Sequence, residues 1–341
     1  MRLTARVRAW GVEARGTASD CAWWLPRAAY RLTGRRWPHP SNLYRAEIPR
    51  QRKLGRGLPG MTVPQERAYY KWHAQEVFTG AGAPIDLGSW LGSTTAALAM
   101  GLAANRRAPA RRAVLHAYDR FVWEPWMDDY SQGLQNGPYA PGESFRNEFE
   151  RVTARWRGRI QVHEADLLKE GWSGGPIELL LVDAMKSWEL SRQIVAEFYP
   201  QLLPGGYLIH QDFGHCFTPW IHLVSYRLRD QFVLTQDIPG SETAVLKAVR
   251  PVTVQDPAEL RRESFDDCEV EAAFAHSVSI SSEAMHSGVR AARAMLYVYD
   301  GRLDEATQLL NRLRGGGLVS GYHFSVVSRA IADAGRGPLT A

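Results

Sequence analysis

Cysteine is scarce in this sequence. The 341 residues hold three, Cys21, Cys216 and Cys268, far apart and odd in number. Such spacing builds neither a disulfide framework nor a zinc knuckle, and it fits a reducing, cytoplasmic setting. Long apolar runs are missing too: no stretch of about 18 residues is apolar enough to read as a membrane-spanning helix. The first residues lack a compact apolar core followed by a small-residue cleavage site, so no secretory leader is expected. Acids are short in residues 1–60, where 13 Lys/Arg face 3 Asp/Glu. That segment carries +10 and the remaining 281 residues −5, so the net charge of +5 belongs to an arm and not to the body. At 45% hydrophobic and 23% charged residues, the composition is that of an ordinary globular protein.

What is present falls into three zones. Residues 1–60 form a basic arm with Trp10, Trp23, Trp24 and Trp37 interleaved. Residues 61–255 alternate strand-like and helix-like segments, and residues 256–341 read as helices only. In the middle zone PQERAYYKWHAQEVF (64–78) predicts a helix with proline in its first turn, where a missing N–H costs nothing. Strands are predicted at 83–88, 112–119, 159–166, 177–184 and 202–213, and a closing hairpin at 232–237 and 243–249. The unbroken run in IELLLVDA (177–184) argues for burial on both faces, as in a parallel sheet. Helices are expected from Ser93, at 188–203 and at 219–232. Phe145, Phe149, Val152 and Trp156 fall on one face of a further amphipathic helix. The alternation implies an α/β fold: a doubly wound, mostly parallel seven-stranded sheet with helices on both faces. In such sheets ligands bind beyond the carboxyl ends of the strands.

The first strand end reads Asp86-Leu87-Gly88-Ser89-Trp90-Leu91-Gly92, followed by Ser93. This is D-x-G-x-x-x-G and not the G-x-G-x-x-G of dinucleotide folds. Glycines let a ligand approach the backbone, and the helix that follows offers unpaired N–H groups. The same spacing also describes a tight turn with no ligand. Asp119 ends the second strand, 27 residues beyond Gly92. An acid there can accept two ribose hydroxyls, or it can be a turn residue. Asp166 ends the third strand, where it can meet an adenine amine or cap a helix.

The order DLGSWLG, AYDRF, HEADLL, LLLVDA, LLPGGYLIHQD resembles the class I S-adenosylmethionine-dependent methyltransferases over roughly residues 61–250. DRFVWEP (119–125) is similar to a segment of the branch that O-methylates sugars of antibiotics and macrolides. The resemblance implies that Asp86, Gly88, Ser89, Gly92 and Ser93 border the methionine part of the cofactor. By the same resemblance Asp119 would hold the ribose, Asp166 the adenine amine, Phe121 would flank the adenine ring, and Asp183 would close the site. It also implies a small-molecule acceptor with a sugar or natural-product hydroxyl.

Methyl transfer is an in-line displacement at a sulfonium, so the protein aligns two reactants and removes one proton. The base is expected at the fourth and fifth strand ends, among Asp183, Lys186, Asp212 and His215. His215 is favoured over His210, which falls within the predicted strand. Lys186 can alternatively hold an anionic group of the acceptor. The sugar-methylating branch uses a divalent cation, for which Asp183 and Asp212 would serve. Gln211 stands where a second acid is expected and Lys186 brings a positive charge, so magnesium is the less favoured reading.

The arm carries no recognised nucleic-acid motif. Its Arg/Trp mixture suits peripheral contact with an anionic membrane, or packing on the body or on a twin subunit, the favoured reading. Residues 282–313 are similar to one tetratricopeptide-type hairpin turned at Asp300-Gly301. One such unit cannot bury its own face, so docking on the core or in a homo-oligomer is expected. Two other functions stay open: transfer of the aminocarboxypropyl group or cyclisation with the same cofactor, and a cofactor-binding interaction module without catalysis.

Overall fold

The computed structural model describes residues 40–55, 58–254 and 256–335. Contacts divide the chain into two compact units, residues 1–47 and 48–341. The described part of the first is a single 3-10 helix, Pro40–Glu47. Most of the basic arm, including its four tryptophans, lies outside the described residues.

The second unit is organised by one seven-stranded sheet. Its strands are β1 (Ala83–Leu87), β2 (Leu115–Asp119), β3 (Ile160–Glu164), β4 (Ile177–Val182), β5 (Leu202–His210), β6 (Phe232–Asp237) and β7 (Ala244–Ala248). Their order is β3-β2-β1-β4-β5-β7-β6. The first five are mutually parallel, and the β6–β7 hairpin joins β5 in antiparallel sense. This is the doubly wound, mostly parallel seven-stranded sheet that the alternation of segments predicts. The chain order reverses between β1 and β4, which makes the ends of β1 and β4 the topological switch point.

The helices of this unit are α1 (Ile48–Leu54), α2 (Pro64–Trp72), α3 (Ser93–Ala104), α4 (Ala108–Arg112), α5 (Arg146–Thr153), α6 (Trp188–Glu197), α7 (Trp220–Arg227), α8 (Asp267–Ile280), α9 (Glu283–Tyr299), α10 (Leu303–Gly315) and α11 (Gly321–Ala334). The predicted 64–78 helix stops its regular turns at Trp72 and continues as a wider π turn to Val77. The predicted 188–203 helix stops at Glu197, just before a 3-10 turn that contains Pro200. A proline disfavours helical backbone at the residue before it.

All six residues of β4 are buried, as its apolar run requires. Its one acid, Glu178, accepts backbone N–H bonds from Thr79, Gly80 and Ala81 at 2.7–2.8 Å and so fastens the approach to β1. Three fixed donors replace the water that a buried carboxylate loses. The helical extension has two apolar sides. On α9, Met285, Val289, Ala292 and Leu296 join the core of the sheet. Ala291, Ala294, Met295 and Val298 of the same helix form a second core with Leu309, Leu310 and Val327. The hairpin α9–α10 turns through Asp300 and Gly301, the latter at φ +72°. Its unburied face is thus covered within the chain.

Candidate functional site

Asp119 ends β2, and the turn after β1 comes to it. Its Oδ2 accepts the N–H of Trp90 at 2.8 Å and its Oδ1 accepts the N–H of Phe121 at 2.8 Å. Among the described residues these are the two non-glycine positions with positive φ, +41° and +53°. Left-handed backbone costs an L-residue about 1–2 kcal/mol, so one carboxylate clasps two strained peptides. Burial pushes the Asp119 carboxyl up, and the Phe121 and Trp90 amides oppose the shift. The Arg120 backbone amide also lowers it, so three amides converge on this one carboxylate.

The glycines of the turn answer to the protein itself. Gly88 and Gly92 have φ of +85° and +87°. A β-carbon on Gly88 would lie 2.8 Å from the Asp183 carbonyl oxygen, and one on Gly92 would lie 3.0 Å from Phe149 and Thr153. The N–H groups of Gly88 and Ser89 both bond the Tyr118 carbonyl, at 2.9 and 3.1 Å. Ser89 Oγ donates to the Asp86 carbonyl at 3.2 Å, and Ser93 Oγ donates to Thr62 Oγ1 at 2.7 Å.

Asp86 is fully buried and its Oδ2 accepts from Thr94 and Thr95 at 2.9 and 2.5 Å. Burial pushes its carboxyl up to about 6, against the pull of both hydroxyls. Its Oδ1 has no partner, and neither has the buried indole Nε1 of Trp90. No side chain caps α3, so the first amides of that helix are open as well. One buried acceptor, one buried donor and an uncapped helix start therefore surround the same turn.

Asp166 sits at the end of β3 and accepts the Leu168 N–H at 3.1 Å, the capping arrangement, with Lys169 3.3 Å away. The Leu168 amide holds its carboxyl below the usual range despite partial burial. The Phe121 ring is fully buried and packs against Phe145 and Phe149, with centroids 5.7 and 5.1 Å apart.

The ends of β4 and β5 carry a second cluster. Lys186 Nζ donates to Asp183 Oδ1 at 2.7 Å and also to Asp212 Oδ2. Burial, reinforced by Asp212 and Glu66 and opposed by Lys186, pushes the Asp183 carboxyl up to about 7. The Lys186 side chain is 54% exposed, and the carboxylates of Asp183 and Asp212 raise its ammonium overall. The lysine is engaged by two acids and is not a free cation for an anionic acceptor group. The oxygens that would bind magnesium face this ammonium, so their arrangement does not fit a divalent cation. Among the described residues no group of three or more His, Cys, Asp or Glu is placed to hold a metal.

His215 lies in the loop after β5. Its Nδ1 accepts the Phe217 N–H at 3.3 Å and its ring stacks on Phe217 at 5.1 Å. Burial holds its pKa below the usual value. His210 is the last residue of β5, buried, with Nε2 2.8 Å from Tyr199 Oη. On α7, Trp220 Nε1 donates to the Met185 carbonyl at 2.7 Å, His222 pairs with Ser277 at 3.0 Å, and Arg227 pairs with Glu269 at 2.8 Å. All three serve packing.

Three residues of this region escaped the sequence reading. Glu66 on α2 accepts from Thr243 Oγ1 at 2.6 Å, and Thr243 also reaches the Gln211 carbonyl at 3.3 Å. Glu242 lies against Gly214, whose N–H bonds the Glu242 carbonyl at 2.9 Å. Burial pushes its carboxyl up to about 7, with Glu66 and Asp212 adding to the shift. The third is Trp90. Glu66 and Glu242 lie outside any strand-end motif, and Trp90 occupies an unspecified position within the glycine turn, so no local pattern singled them out.

No protein-family model matches the chain, and no curated protein matches it. Solved structures do. The chain is similar to the O-methyltransferase NovP at 16% identity and a TM-score of 0.41, over 56% of this chain and 82% of that one. It is similar to CalS11, described as a TDP-rhamnose 3'-O-methyltransferase of calicheamicin biosynthesis, at 13% identity and a TM-score of 0.41, over 68% and 95% of the two chains. It is also similar to the N-methyltransferase NodS from Bradyrhizobium japonicum at 15% identity and a TM-score of 0.32, over 54% and 97%.

Proposed function

We propose that this protein is an S-adenosylmethionine-dependent methyltransferase acting on a hydroxyl of a small polar metabolite, a sugar or natural-product scaffold. One observation carries the reading: the Asp119 carboxylate at the end of β2 is joined to the glycine turn after β1, beside the switch point of the sheet. A carboxylate at this strand end suits a ribose. The unpartnered Asp86 Oδ1 and Trp90 Nε1, with the open amides of α3, complement the ammonium and carboxylate of an amino acid.

The cofactor, when bound, supplies an electrophilic methyl group on sulfur. Asp183 takes the proton of the acceptor hydroxyl: it follows β4 at the switch point of the sheet, and burial raises its carboxyl in the direction a general base requires. This departs from the histidine favoured by the sequence. In the neutral ring the Phe217 N–H bond occupies Nδ1 of His215 and leaves the proton on Nε2. Lys186 orients Asp183 and Asp212 together. No step passes through a metal ion.

The test is incubation with methyl-labelled cofactor and a pool of glycosides and natural-product alcohols, read by mass spectrometry. A labelled product heavier by one CH2 is expected. A product heavier by an aminocarboxypropyl group, or cofactor bound with no product across the pool, would replace this reading.

A further inference from the structure

The helical extension touches the loop that carries Asp212 and His215, and the contact is unusually close. Gly288 on α9 faces Gly214 in that loop, and a β-carbon at Gly288 would overlap the Gly214 carbonyl oxygen. Helix interiors disfavour glycine by about 1 kcal/mol relative to alanine, so this position gives up helix stability for backbone-to-backbone contact. Next along the loop, Cys216 is buried among Ala291, Ala294, Met295 and Val327 of the extension. Tyr299 Oη donates to the Phe217 carbonyl at 3.2 Å, and its ring stacks on Trp220 at 5.8 Å. On the other side of Gly288, Ser287 Oγ lies 2.7 Å from His323 Nδ1 of α11. Three residues of the loop, Gly214, Cys216 and Phe217 on either side of His215, are thus gripped by elements that belong to no methyl-transfer motif.

From this geometry we propose that the C-terminal helices position the acceptor-side loop, with Gly288 as the positioning residue that seats Asp212 and His215 against Lys186. The proposal rests on the methyltransferase reading for the purpose of the loop, but not for its geometry. The sheet holds the start of the loop more firmly than its middle. Its base is tied to the sheet through the Gln211 N–H to the Val182 carbonyl at 3.1 Å, the Lys186–Asp212 ion pair and the buried Phe213, whereas residues 214–217 have from that side, among the described residues, only the Gly214 N–H to the Glu242 carbonyl at 2.9 Å. Adding a methyl group at 288 leaves two ways out: α9 lifts, or the loop shifts. Since α9 is buried on two sides, the loop is the softer partner.

The loop's position is read without knowing the acceptor. His215 is faced by Asp212 and Lys186 at the strand ends and by His323 on α11, so its titration reports where the loop sits. In Gly288→Ala the His215 pKa, followed by NMR of 13C-labelled histidine, is expected to move by about 0.5 or more toward its usual value. In a Cys21→Ser/Cys268→Ser background, Cys216 is expected to react with an aromatic disulfide about 10-fold faster or more, because its burial is lost. Gly321→Ala, where nothing lies within 4 Å of the added carbon, is the control and leaves both readouts unchanged. Tyr299→Phe, which removes only one hydroxyl, moves both in the same direction and covers the case in which Gly288→Ala does not fold. If Tyr299→Phe, and Gly288→Ala when folded, titrate and react as the wild type does, the proposal is overturned. Calorimetry with S-adenosylhomocysteine runs alongside: loss of binding in the wild type would sink the methyltransferase reading and leave these two readouts intact.

Discussion

Asp119 holds Trp90 by a 2.8 Å hydrogen bond from a peptide whose φ is +41°. A carboxylate 29 residues along the chain therefore fixes the shape of the turn it faces. The same carboxylate holds Phe121 at φ +53°. Strain at these two residues is restrained by the carboxylate that we propose receives a ribose.

Gly88→Ala and Gly175→Ala separate backbone strain from close approach. Both positions have positive φ, +85° and +91°, but only Gly88 has an atom within 3 Å of the added carbon, the Asp183 carbonyl oxygen. Gly175→Ala is expected to cost about 1 kcal/mol. Gly88→Ala adds overlap with β4 and is expected to cost ~3 kcal/mol or more. Chemical denaturation of the two variants checks the difference; equal costs would mean that the approach of β1 to β4 is not as described.

Glu242 gives a pH signature. Its carboxyl is raised from 4.5 to about 7 by burial, with Glu66 and Asp212 adding to the shift. The folded state therefore holds this proton more tightly than the unfolded state, and the group's cost to stability grows as pH rises between those values. Glu242→Gln removes the cost. The variant is expected to be more stable than wild type by about 1–2 kcal/mol at pH 8, allowing for solvent screening, with the gain vanishing near pH 4. Thermal melting at the two pH values measures it, and a gain independent of pH would refute the assignment.

Lys186 separates two carboxylates. Lys186→Met leaves Asp183 and Asp212 unpaired and, allowing for solvent screening of the half-exposed lysine, is expected to lower stability by about 1 kcal/mol at pH 8, less at pH 5. Millimolar magnesium is expected to raise the melting temperature of this variant, because two oxygen ligands are then exposed to it. Wild type, with its ammonium in place, is expected to show no shift. A magnesium-dependent shift in wild type would reverse the account of the cluster.

Much of the architecture was legible in the residues. The five apolar positions of β4 announced a doubly buried strand, and Pro64 marked a helix start where α2 begins. Asp119 and the glycine turn were recognisable because each sits at a strand end, where spacing along the chain carries meaning. Their bond to each other was not, since it depends on the parallel register of β1 on β2. The glycines drew attention to a ligand, while their bare backbone is demanded by Asp183, Phe149 and Thr153, contacts made far away in sequence. Lys186 read as a free cation because nothing local reveals that Asp212, 26 residues later, will share it. Glu66 and Glu242 come together through α2 and the β6–β7 turn, which no local pattern connects.

The most direct measurement is calorimetric titration of S-adenosylhomocysteine into the purified protein and into Asp119→Asn. The wild type is expected to bind one equivalent, and the folded variant to bind at least about 10-fold more weakly, a loss of about 1.4 kcal/mol. No binding by the wild type, or equal binding by a folded Asp119→Asn, would contradict the placement of the cofactor across β1 and β2.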